Sequence, residues 1–492
     1  MLEISIADML AATGATLLCG DASQAVRGVT TDSRAVGQGS AFVCFVGGRV
    51  NGNRFAPQAI ESGAGAVVLT EDAADDLVDL ATHRGCALLR AEAVTAATPD
   101  DTDPAATEFL LRLAAEWRRR NGQWVVVGVT GSVGKTTTKD MLSCALATRF
   151  ATHATKGNHN NLIGLSLTLL AASPSDEVVV AEMGMNHAGE LSRLTEVARP
   201  SVALVTNVGT SHIGFLGSRE SIARAKAEIV GGMTATAEAV GTVRPCLVLS
   251  DDNDFGDLIE REFCVPAGVE VVRVGTAQDS TVRADSIALD TEGRPSFTLR
   301  FSDGWQLPVS LETPGRHVVV DFLIAMAVAD RLGVDREAAA GAIARMPQAR
   351  MRLEVLAAPG RPRVIDDSYN ASPSSTAAAL DVLCAMECPG RRVAVLGVVG
   401  ELGDQAARLH GYMGAYAAAK PLDLLVFVGG DDALEMAEAA RTMGFPDDRL
   451  EVLPTAQAAL DAIGPLLSEG DLVLAKGSRS VGLDRFAKGV LA

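Results

Sequence analysis

Residues Val125–Lys139 read V-V-V-G-V-T-G-S-V-G-K-T-T-T-K. A run of β-branched residues enters a turn with glycines at 128, 131 and 134, and Lys135 with three threonines after it opens a helical pattern. Glycines let backbone N–H groups face phosphate oxygens, a lysine reaches the β and γ oxygens, and the hydroxyl after it can bind Mg²⁺. The strict phosphate-loop pattern wants a further glycine where this chain has Val129. The loop is therefore the shortened form G-x-x-G-K-T. It predicts a nucleoside triphosphate held by Gly131, Ser132, Gly134, Lys135, Thr136 and Thr137, with Thr136 as the metal-side hydroxyl.

Around this loop the chain of 492 residues has room for two to four cores. Apolar residues make up 48% and charged residues 21%, a globular composition. A net charge of −18 speaks against nucleic acid or an anionic membrane as partner. The eight cysteines are scattered without a C-x-x-C pair, which predicts buried thiols in a reducing compartment and no zinc site. The chain shows no basic segment followed by an apolar run at its start and no 18-residue apolar stretch, so a soluble cytoplasmic protein is expected.

The expected architecture is α/β in three domains. Residues 1–103 alternate short strands (Ala41–Val46, Ala66–Leu69, Ala87–Leu89) with helical patterns such as Arg54–Ser62, and end in the linker T-P-D-D-T-D-P. In 104–340, apolar runs at Trp124–Val129, Val178–Ala181, Ala203–Thr206 and Cys246–Leu249 alternate with helical stretches, the pattern of a helix-covered parallel sheet. Two short strands, Ser296–Phe301 and Gln306–Leu311, break that rhythm and read as a small antiparallel insertion. Residues 341–492 repeat the α/β pattern with strands at Arg363–Asp366, Arg392–Leu396, Leu424–Val428 and Leu472–Ala475, a Rossmann-like arrangement.

Polar clusters follow the carboxyl ends of these strands, where open parallel sheets carry their chemistry. Glu182 ends one strand beside the loop, placed to hold Mg²⁺. His212 lies in N-V-G-T-S-H-I-G-F-L-G and Lys226 in the helical run S-I-A-R-A-K-A-E-I-V, and neither carries an assignment alone. T-K-G-N-H-N-N-L-I-G is rich in amides suited to a polar substrate. D-D-S-Y-N-A-S-P-S-S leaves Asp367 free to face the nucleotide, and A-K-G-S-R-S offers Lys476 and Arg479 to an anion.

Taken together these motifs, with T-T-D-S-R, G-R-H, G-E-L-G and K-G-S-R-S, resemble the Mur ligase family over nearly the whole chain. The resemblance implies an N-terminal UDP-binding domain, a central ATPase domain and a C-terminal Rossmann-like domain. D-S-Y-N-A-S-P is its most discriminating motif. It points to a ligase joining D-alanyl-D-alanine to UDP-N-acetylmuramoyl-tripeptide in peptidoglycan precursor synthesis, by way of an acyl phosphate, as a monomer. By motif, Lys135 and Thr136 would hold triphosphate and Mg²⁺ and Glu182 the metal. His212 would be the second-metal histidine and Lys226 the lysine that is carbamylated in many members. Arg350 and Asp367 would contact the nucleotide with His317 and Asp321, while Asp32, Ser33 and Arg34 would face the uridine diphosphate end. Asn160, Asn161 and Asn370, with Lys476 and Arg479, would meet the substrate near its reacting end.

Three places depart from the family pattern. G-x-H-N-x-x-N is G-R-H-V-V-V-D here, replacing two asparagines by Val318 and Asp321; an ionised Asp321 accepts hydrogen bonds but donates none. An acid before G-E-L-G is Val398, and the turn after a central strand reads L-S-D-D-N. A diverged paralogue joining another acid and amine by the same chemistry is the alternative these departures leave open.

Overall fold

The computed structural model describes residues 1–48, 50–96, 98–234 and 243–492. Three large sheets organise it, each with helices packed against it, beside a two-stranded antiparallel pair, Glu3–Ser5 with Ala25–Arg27. The first has five strands in the order Thr16–Cys19, Ala87–Arg90, Ala66–Leu69, Ala41–Val43 and Val29–Thr30, parallel except for its first pair. The Arg54–Ser62 pattern begins as a 3₁₀ turn over Gly52–Phe55 and becomes α-helical only over Ala56–Glu61. Pro57 in the first turn suits that start, because it has no N–H to leave unpaired.

The second sheet has nine strands, in the order Gln306–Ser310, Pro295–Phe301, Val282–Leu289, Glu270–Gly275, Cys246–Ser250, Val202–Val205, Val125–Thr130, Val178–Glu182 and Thr152–Ala154. Its central strands are parallel and fully buried, which is why they read as unbroken Val/Ile/Leu runs. The expected antiparallel insertion is no separate unit. Its strands continue the same sheet as an antiparallel edge beyond Glu270–Gly275, itself parallel to its neighbour. Alternating burial along Pro295–Phe301 marks one covered face, where Phe297 meets Phe322 of the helix Val318–Arg331 edge-on. The turn 290–293 of this edge docks on the third sheet's block: Glu292 accepts two bonds from Arg363 Nη1 (3.0 and 2.9 Å), and Glu387 N–H donates to Thr291 O (2.7 Å).

The third sheet runs Glu354–Leu356, Arg363–Asp367, Leu472–Lys476, Arg392–Gly397, Leu424–Val428 and Leu450–Leu453, parallel after its first pair. In both large sheets the strand order reverses beside the functional loops. Val125–Thr130 lies between strands formed later in the chain, and Leu472–Lys476 lies between Arg363–Asp367 and Arg392–Gly397. Such reversals open a crevice at the strands' carboxyl ends. Among the described residues no helix is long and apolar enough to cross a membrane.

Candidate active site

The loop after Val125–Thr130 turns through Gly134, which has φ 86° and delivers Lys135 as the first residue of the helix Lys135–Leu146. A methyl on Gly134 would lie 2.6 Å from Asp321 Oδ1, so glycine is required there on two counts. Asn207, at the end of the neighbouring strand, braces the loop: its Oδ1 accepts from Val133 N–H (3.0 Å) and its Nδ2 donates to Val133 O (2.9 Å). Lys135 Nζ donates to Gly131 O (2.7 Å), and burial lowers its pKa.

Thr136 and Glu182 meet at the floor of the crevice. Glu182 is buried, and its Oε1 accepts from Asn160 Nδ2 (2.7 Å) and Thr136 Oγ1 (3.3 Å). Its Oε2 is buried with no hydrogen-bond partner. A buried carboxylate oxygen left bare costs free energy unless a cation or donor meets it. A hydroxyl and a bare carboxylate oxygen side by side are the hard oxygen donors Mg²⁺ prefers, so these residues fit the ion. Lys226 is buried, and among the described residues no side-chain hydrogen bond or ion pair reaches its ammonium. Burial, with the charge of Lys135 nearby, holds its pKa well below the ordinary lysine value.

A cavity of about 430 Å³ connects the loop with Thr136 and Glu182. It is lined by Ser132, Gly134, Lys135, Thr136 and Thr137 of the loop, by Asn160, Asn161, Glu182 and His212, and by His317 and Asp321 at its other end. From the third sheet come Asp367, Asn370 and Lys476. Lys476 is buried and pairs with Asp367 Oδ2 at 2.6 Å while donating to Asn370 O (3.1 Å). Asn161 also caps the helix Leu162–Ala171 through Gly164 N–H. Asp321 is buried beside Thr138, whose hydroxyl lies 3.1 Å from Asp321 Oδ1 and 2.9 Å from Gly134 O. Burial pushes the Asp321 carboxyl up to about 7. The expectation of an acceptor-only side chain changes accordingly: near neutral pH part of Asp321 is protonated, and the neutral acid donates as an asparagine amide does.

Arg350 is exposed and does not line the cavity; Arg352 does. The reason is a turn in which Met351 (φ 57°) and Leu353 (φ 55°) are both left-handed, swinging the intervening side chain inward. Met351 N–H donates to Glu354 Oε2 (3.0 Å) and Leu353 N–H to Asp367 Oδ1 (3.2 Å), which hold the strained turn. Arg352 stacks over the Tyr369 ring (4.3 Å) and donates to Thr136 Oγ1 (3.1 Å). Asp32, Ser33 and Arg34 form a surface turn outside the cavity, in which Arg34 pairs with Asp32 at 2.8 Å and holds its carboxyl down to about 2. Arg479 is exposed and paired with Asp484 (3.2 Å). Neither it, Gly131 nor Lys226 lines the cavity. The first domain instead contributes Phe45 and the strap Asp100–Thr102, with Asp100 Oδ2 3.0 Å from His187 Nε2. The prolines and acids of that strap read only as a linker, and nothing local flags Arg352 over Arg350.

The Mur ligase middle domain matches residues 129–329, the Mur ligase glutamate ligase domain 351–479 and the Mur ligase family catalytic domain 25–108. The chain belongs to the Mur ligase family. It is 32% identical over 466 residues to the UDP-N-acetylmuramoyl-tripeptide–D-alanyl-D-alanine ligase of Bacillus subtilis (strain 168), covering 95% of this chain and 93% of that one. Its structure is similar to that of MurF from Acinetobacter baumannii (TM-score 0.83, 28% identity, 100% of this chain and 99% of that one). It is also similar to MurF ligase from Thermotoga maritima in complex with ADP (TM-score 0.74, 25% identity, 94% and 98% covered).

Proposed function

We propose that this enzyme is an ATP-dependent ligase that joins D-alanyl-D-alanine to UDP-N-acetylmuramoyl-tripeptide, in the cytoplasm and as a monomer, with domains at 1–103, 104–340 and 341–492. The observation that carries the reading is the single cavity in which phosphate loop, bare Glu182 oxygen and Arg352 converge.

A carboxylate is a poor electrophile, so the acid substrate must first gain a leaving group. Its oxygen attacks the γ-phosphorus of ATP, giving an acyl phosphate and ADP. The dipeptide amine then attacks the acyl carbon, and inorganic phosphate leaves as the amide forms. Two anions must approach in the first step, and cationic groups make that possible. Lys135, bonded to Gly131 O, and Arg352, bonded to the Thr136 hydroxyl, line the cavity from two domains and would bring two positive charges to the triphosphate path. Thr136 and the free Oε2 of Glu182 would hold Mg²⁺, which when bound neutralises phosphate charge. His212 and a carbamate on Lys226 would serve a second ion. The lowered pKa of Lys226 supports carbamylation, since only a neutral amine adds to carbon dioxide. Asn160, already bonded to Glu182, orients that carboxylate, and Asp100–Thr102 close the cavity toward the acid substrate.

The test is phosphate release from ATP and Mg²⁺ with UDP-muramoyl-tripeptide, with and without D-alanyl-D-alanine, with the product weighed. Turnover that needs both substrates, and a product heavier by the dipeptide less water, is expected. Nucleotide binding without turnover on this pair would replace the reading by a paralogue using another acid and amine.

A further inference from the structure

The loop 398–403 of the third domain reaches the central domain at His212 and brings it a partner, Glu401, that the chemistry above leaves unused. His212 Nδ1 lies 2.7 Å from Glu401 Oε2, close in distance but off the axis of an aligned hydrogen bond. With Nδ1 turned to Glu401, Nε2 is the nitrogen left for a ligand in the cavity that His212 lines. Both residues are left-handed, His212 at φ 64° and Glu401 at φ 65°. Each such non-glycine conformation costs about 1 kcal/mol or more, and persists where the surroundings over-determine it.

Those surroundings are specific. Gly214 N–H donates to Glu401 O (3.0 Å) across the domain boundary. A methyl on Gly214 would come within 2.6 Å of Gly403 N and 2.8 Å of Glu401 O, so the two backbones touch only because both positions are glycine. On its own side the loop is tied down. Val399 N–H donates to His410 Nε2 (2.8 Å), whose Nδ1 contacts Ala406 O (2.8 Å), and Gly400 N–H donates to Ser478 Oγ (2.9 Å). His410 is buried with both nitrogens used structurally.

We propose that Glu401 is a positioning residue for His212: it sets the imidazole from the other domain, so the ring is aimed at a divalent cation only while the two domains are docked. A metal-binding histidine ordinarily hands its second nitrogen to a carboxylate or carbonyl, and loss of that partner typically weakens metal binding about 10- to 100-fold. Here the partner belongs to a different domain, which ties the metal requirement to docking. The inference rests on the reading of His212 as a metal ligand.

The experiment uses the full-length enzyme and two readouts. In metal-free protein labelled with ¹⁵N-histidine, Glu401→Gln is expected to shift the His212 ring nitrogens. In turnover, it is expected to raise the Mg²⁺ concentration for half-activation about tenfold at saturating ATP, with KM for ATP and melting temperature unchanged. Glu401→Asp recovers part of both effects. Gly214→Ala, which parts the backbones and leaves the carboxylate in place, reproduces them. The positioning role is overturned if His212→Ala raises the Mg²⁺ requirement while Glu401→Gln moves neither the requirement nor the nitrogen resonances. An unchanged requirement in His212→Ala overturns instead the ligand reading beneath it.

Discussion

The phosphate loop and the turn that carries Arg352 do adjoining jobs by opposite means. Gly131–Thr137 is one continuous segment shaped by its own glycines and the helix it starts, with Asn207 as its brace. The 351–353 turn puts two side-chain-bearing residues into the left-handed region, and is held by carboxylates at 354 and 367 and by Lys476 behind Asp367. The first is set mainly within its own segment. The second is assembled by tertiary contacts, and its strain is sustained only while the third sheet is intact.

Four measurements break or sharpen that contrast. Lys135→Ala is expected to lower kcat about 10³-fold with little change in melting temperature, because its ammonium holds only the loop's own Gly131 carbonyl; phosphate release and a thermal melt check both. Arg352→Ala should cost about 10- to 100-fold in kcat/KM for ATP, the range of a lost charged hydrogen bond, while Arg350→Ala stays within about twofold. Equal losses in the two would refute the inward turn.

Asp321 gives a pH signature. Its folded-state pKa of about 7 lies above the ordinary 3.8, so the folded protein holds a proton that the unfolded chain releases. The contribution of Asp321 to stability therefore falls as pH rises from about 4 to about 7, by on the order of 2–4 kcal/mol, and the penalty is constant above that. Asp321→Asn has no such loss: its melting temperature should exceed the wild type's at pH 8 and match it near pH 4. A difference independent of pH would remove the buried-proton account. The smallest effect is expected for Arg363→Ala, which breaks the half-exposed pair with Glu292 away from the cavity. It should cost up to about 1 kcal/mol in a denaturant titration and leave turnover unaltered.

Much of the fold was legible because the buried parallel strands carry apolar runs bounded by glycine and polar turns. Val125–Thr130, Val178–Glu182, Leu424–Val428 and Leu472–Lys476 fall within a residue of their expected ends. The edge strands were legible as antiparallel, but alternation reports a half-covered strand and not which sheet it joins. In the site, residues adjacent in sequence to a strand end were readable: Lys135, Thr136, Glu182 and Asp367 line one cavity. Residues aimed by backbone strain or by distant partners were not. Arg352 against Arg350, the strap Asp100–Thr102 and Glu401 against His212 each depend on contacts with distant parts of the chain or on φ angles that composition does not encode.

The brace behind Arg352 also sets a schedule. Lys476 is made roughly 340 residues after the phosphate loop, and at about 5–20 residues per second of synthesis that gap is on the order of 20–70 s. Until Lys476 emerges and pairs with Asp367, the turn at 351–353 has lost its backing and the loop faces solvent without its second cation. The nascent chain therefore makes its whole central sheet before the Arg352 side of the nucleotide site has its brace.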